Sequence, residues 1–152
     1  METKYFVDIS GNYIGGYSGA EPPVGAIEVP TAPDRASDIW VGGVWTPSPA
    51  QLLADKAAVL KTFVSLRVTI VSVLAAIAGR MQRAGDMTSA LACDVASTSF
   101  IGIENTPAFI AAPDAPTAQA VILIAYQTIA ATLNASSPTA AAEFVAMGLT
   151  YP

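Results

Sequence analysis

The chain has 152 residues, 53% of them hydrophobic and only 12% charged, with a formal net charge of −5. Soluble domains average roughly 45–50% apolar and about 25% charged residues, so intrinsic disorder, which needs low hydrophobicity and high charge, is excluded. Nucleic acid is disfavoured as a partner because no Lys or Arg follows Arg83, and the absence of histidine removes the commonest general base and most zinc chemistry.

Residues 1–47 hold seven of the eleven glycines, so turns must be frequent there and strands short. Lys4–Ile9 and Tyr13-Ile14 flank Ser10-Gly11-Asn12, which predicts a hairpin, and Ala26–Val29 predicts a third strand halted by Pro30. Ile39–Val41 and Val44-Trp45 around Gly42-Gly43 predict a second tight hairpin.

From residue 48 the pattern becomes helical. Ser48-Pro49-Ala50-Gln51 offers an N-cap, a first-turn proline and a capping-box Gln, so a long helix is expected to run to about Arg83, before Gly85. Between Val64 and Ile77 apolar residues fall on every face, which predicts a helix covered all round. Within that stretch Arg67 needs a partner, with Asp94 and Glu104 as candidates. Asp86 is expected to cap a second helix ending near Ala96. Residues 97–116 read as an irregular connection, and a further helix is expected from Thr117 to Leu133, stopped by Asn134. Ser137-Pro138 predicts a last short helix reaching Met147. The fold class is therefore α+β: a small N-terminal antiparallel β-module over 1–47, then an Ala-rich helical domain over 48–152 with one long helix.

Candidate chemistry is sparse. The acids are scattered, and Asp86 and Asp114 sit where helix caps are expected. Gly15-Gly16-Tyr17-Ser18-Gly19 lacks the Lys-Ser/Thr ending and the following helix of a phosphate loop, so turn chemistry accounts for it. Cys93 reads as a small buried hydrophobe. The apolar run from Phe63 to Gly79 contains Arg67 and three hydroxyl residues and falls short of the roughly 20 residues of a membrane span, so no span is expected. The N-terminus lacks the basic and long apolar regions of a secretory leader, and none is expected. No catalytic residue, cofactor or metal is expected.

What remains points to protein partners. Five of the seven Tyr and Trp residues lie in the first 47, where some serve as the module's core and one or two are left as interface anchors. Tyr13, Tyr17, Trp40 and Trp45 are the candidates. In the long helix, Phe63, Ile70, Leu74 and Ile77 are expected to contact a partner, because so apolar and sparsely charged a chain needs more cover than its own fold provides. Homo-oligomerisation is expected on the same ground.

The N-terminal pattern comprises Tyr5-Phe6-Val7-Asp8, Gly11-Asn12-Tyr13-Ile14-Gly15-Gly16-Tyr17, Gly19-Ala20-Glu21-Pro22-Pro23, Gly25–Pro30 and Trp40–Trp45. It resembles the N-terminal module of small bacteriophage proteins associated with tail-fibre genes, including tail-fibre assembly chaperones. The resemblance covers about a third of the chain and supplies no catalytic residues. It implies a non-enzymatic protein that binds tail-fibre or other tail components as assembly chaperone or accessory factor. It would work in the host cytoplasm during assembly or in the virion tail, the alternative being a permanent virion component joined through its apolar helices.

Overall fold

The structure, a computed structural model, describes residues 2–148. Small antiparallel sheets at the N-terminus are followed by helices, an α+β arrangement. The chain divides into two compact units, Met1–Ala54 and Asp55–Pro152. The division falls a few residues later than the composition change at 47, and the Ser37 hydroxyl donating to Gln51 Oε1 at 3.3 Å ties the first helical turn to the β-module.

In the first unit, β1 (Lys4–Val7) pairs antiparallel with both β2 (Tyr13–Tyr17) and β3 (Ile27–Val29), giving the order β2-β1-β3. Phe6, Val7 and Val29 are its buried apolar residues. The β1–β2 connection is built by Asp8, whose carboxylate accepts from the backbone of Ser10 (2.8 Å) and Asn12 (2.9 Å) and from Asn12 Nδ2 (2.8 Å). The hairpin of β4 (Ile39–Val41) and β5 (Val44–Thr46) turns at Gly42-Gly43, both at positive φ, as a two-residue loop requires. Trp40 N–H donates to Gly11 O at 2.8 Å and joins the two sheets. A Cβ on Gly11 would stand 2.4 Å from Trp40 O, so only glycine fits there.

The helices are α1 (Pro49–Arg83), α2 (Met87–Ile101), α3 (Pro107–Ala111), α4 (Ala115–Ser136) and α5 (Pro138–Ala146), with a 3₁₀ turn at Ile103–Asn105. Local caps set the starts: Asp86, Thr106, Asp114 and Ser137 each accept from the backbone N–H three residues on. The core of the second unit joins Phe63, Ile70, Leu74 and Ile77 of α1 to Cys93 and Phe100 of α2 and Ile122 of α4, all at 0–1% exposure. Arg67 pairs with Glu104, one of its two expected mates, and also donates to Ile101 O at 3.2 Å.

Three expectations are corrected. Helix α1 is not covered all round: its neighbours lie on one side, and Ser65, Thr69, Ser72 and Val68, the last 65% exposed, face outward. Residues 97–116 are mostly ordered: α2 continues to Ile101, and the 3₁₀ turn and α3 follow. Asn134 does not stop α4, which runs on to Ser136.

Candidate functional site

An open apolar surface of the second unit lies along the seam of α2 and α4. The two helices run antiparallel, with Thr88 beside Ser136 at one end and the Phe100 and Tyr126 rings 5.5 Å apart toward the other. Small Ala residues on α2 let them approach closely and leave a groove of about 400 Å³. Its floor is Ala92, Ala96, Ile129 and Leu133. Beside the floor stand Leu91 and Val95, 64% and 53% exposed.

Of the five hydroxyl residues lining the groove, Ser99, Thr128 and Thr132 are engaged within their own helices. Ser99 Oγ donates to Val95 O at 2.9 Å, Thr128 Oγ1 to Ile124 O at 2.8 Å, and Thr132 Oγ1 to Thr128 O at 2.9 Å, each reaching four residues back along its own helix. Helix α4 carries no Asp, Glu, Lys or Arg in its 22 residues. The groove therefore offers apolar contact and neither charge nor a free hydroxyl proton at these three positions. It can receive uncharged side chains, and it holds no nucleophile–base pair.

In the β-module the Trp40 and Trp45 rings meet edge-on at 5.2 Å, and Tyr13 packs edge-on against Trp45 at 5.9 Å. Trp45 Nε1–H is fixed to Thr31 O at 3.0 Å. All three side chains are half-buried, so part of each ring faces outward. Tyr17 is separate and rests edge-on against Phe6 at 5.6 Å.

Of the residues expected to meet a partner, Tyr13, Trp40 and Trp45 thus come together in one cluster and Tyr17 stands apart. Phe63, Ile70, Leu74 and Ile77 are corrected: each is 0% exposed in the core of the second unit and cannot touch a partner while the chain is folded. Sequence reasoning missed Leu91 and Val95. Their i, i+4 spacing opposite Ala90, Cys93 and Phe100 was the available signal, but α2 is apolar on both faces, so the pattern does not say which one turns inward.

Other reactive groups are structural. Burial pushes the Cys93 thiol up, with Asp94 and Glu143 adding to the effect. Asp38 is buried and accepts from Arg35 N–H at 3.2 Å through Oδ2, while Oδ1 has no partner. Among the described residues no group of three or more Cys, Asp or Glu side chains is placed to hold a metal ion. Helices α1 and α4 are long and apolar enough to cross a membrane, a property shared by core helices of soluble proteins.

Comparison with known protein families, curated proteins and solved structures returns no match.

Proposed function

We propose that this chain is a non-enzymatic bacteriophage protein that binds tail-fibre or other tail components, as assembly chaperone or accessory factor. The observation that carries the protein-binding part is the apolar groove between α2 and α4, whose lining holds no ionised side chain and which the folded chain leaves open. The resemblance of the first 47 residues to modules of tail-fibre-associated proteins supplies the phage context. Half-exposed Trp40, Trp45 and Tyr13 suit the anchoring of a partner, since aromatic rings bring large contact area at low entropic cost. No membrane span is proposed: α1 sets Phe63, Ile70, Leu74 and Ile77 into a protein core, and α4 adds Ile122. The site of action would be the host cytoplasm during assembly or the virion tail.

The test is co-expression with a C-terminal tail-fibre segment of the same phage. A soluble complex that Trp40→Ala weakens at least tenfold is expected; failure of any tail segment to be captured overturns the reading. The second reading, a permanent virion component, is favoured by the width of the uncharged face, which suits a lasting protein–protein contact. It requires the chain in purified particles, where mass spectrometry would find it.

A further inference from the structure

We infer that the α2–α4 face seats the same face of a second copy of this chain, two antiparallel helix pairs meeting across a twofold axis. This rests on the protein-binding reading above and names the partner of that face.

Shape is the first argument. The patch carries both a ridge, Leu91 and Val95, and beside it a hollow floored by Ala92, Ala96, Ile129 and Leu133. A twofold rotation sets each ridge over the other copy's hollow, the self-complementarity that an isologous contact demands.

Charge is the second. Each copy has a net charge of −5, so two copies repel except where ionised groups are absent. Helix α4 has none, and the only ionised side chain on α2 is Asp94, which does not line the groove. The Ser99, Thr128 and Thr132 hydroxyls donate within their own helices, so a partner need supply no acceptor to them when water is expelled.

Area is the third. With 15 residues in α2 and 22 in α4, the helices are about 22 and 33 Å long and together about 20 Å wide, giving roughly 550 Å² per copy and about 1,100 Å² in total. That passes the roughly 1,000 Å² expected of a specific interface. The outward stripe of α1 between Thr62 and Ala76 is a single helix wide and offers only about 200 Å² per copy, too little by itself. With α2 and α4 so occupied, the Tyr13–Trp45–Trp40 cluster is left to anchor a tail component.

Sedimentation velocity and light scattering on the full chain provide the test. The wild type is expected to be a dimer. Leu91→Glu, at an exposed position, should raise the dissociation constant more than tenfold while leaving the helical circular dichroism of the folded chain unchanged, its melting temperature losing the concentration dependence that a dimer shows. Val68→Glu on α1 should leave the dimer intact. A monomeric wild type, a dimer indifferent to Leu91→Glu, or one dissociated by Val68→Glu overturns the inference. So does a monomer that partitions into phosphatidylglycerol–phosphatidylethanolamine vesicles through this face. A monomer that still captures a tail-fibre segment would sink the dimer and leave the proposed function standing; a dimer that captures none would do the reverse.

Discussion

The Ser137 hydroxyl donates to the Ser89 hydroxyl at 2.6 Å in a buried part of the second unit. Ser89 Oγ passes the chain on to Asp86 Oδ2 at 2.6 Å, while Ser137 Oγ accepts from Ala140 N–H at 3.1 Å and Asp86 Oδ1 from Ser89 N–H at 3.0 Å. One run of hydrogen bonds therefore ties together the starting ends of α2 and α5. Ser137→Ala removes a cap and leaves Ser89 without its donor, so a loss of about 1–2 kcal/mol is expected. Urea denaturation measures it. In the Ser89→Ala/Ser137→Ala double mutant the two losses should fall short of additive by about 0.5 kcal/mol or more, because both belong to one network.

Acid should loosen the two units through different carboxylates. Hydrogen bonds from Ser89 hold the Asp86 carboxyl below its ordinary value of 3.8, Thr117 does the same for Asp114, and Asn12 for Asp8. The unfolded chain then takes up protons that the folded chain refuses. The stabilisation is present above the ordinary value and is lost as pH falls through the lowered folded-state values. Circular dichroism against pH should show stability level near neutrality and declining below about pH 4. Asp114→Asn should flatten that decline.

Both tryptophans lie in the β-module, so their fluorescence reports on that unit while circular dichroism at 222 nm follows the helices. Gly11→Ala must place a Cβ 2.4 Å from Trp40 O at φ +84°. It should cost the β-module about 2–3 kcal/mol, seen as an earlier fluorescence transition with the helical signal little changed. Gly42→Asn, at φ +60° with nothing within 4 Å of the added atom, should cost only about 0.5 kcal/mol, since Asn tolerates the left-handed region.

Lys56 Nζ donates to Ile110 O at 3.0 Å and Ala112 O at 2.8 Å and lies 5.2 Å from the Phe109 ring centroid. It closes the end of α3 against α1. Lys56→Met keeps the stem but leaves those carbonyls without the ammonium, so a loss of about 1–2 kcal/mol is expected. Amide exchange should quicken most at the α3 amides that open locally, such as Ile110.

Where local chemistry decides, the sequence was legible. Ser48-Pro49 and Gly85 bracket α1, Gly42-Gly43 makes its turn, and Ser137-Pro138 opens α5. The segment 97–116 was misread because Pro107 and Pro116 look like breakers, yet each stands in a first turn behind a capping Thr106 or Asp114. Ser99 and Thr98 bond back to Val95 and Asp94 carbonyls, so hydroxyls that suggest a loop stay helical. Which apolar residues stay outside is less legible. Phe63, Ile70 and Ile77 recur every seven residues, the spacing of a packed seam, whereas the chain's high apolar and low charged content points them toward a partner. Burial depends on which helix lies alongside, and α2, apolar on both faces, gave no direction.

The threonines and serines along these helices bear on how wettable the surface is. Thr62, Ser65, Thr98, Ser99, Thr128 and Thr132 each spend their proton on a carbonyl one turn earlier. What they turn to their surroundings is largely methyl or methylene carbon and an oxygen with no hydrogen left to give. Hydropathy scales count such side chains as water-seeking. On this molecule they extend the oily area, so the chain is greasier to the touch of another surface than its amino-acid inventory declares.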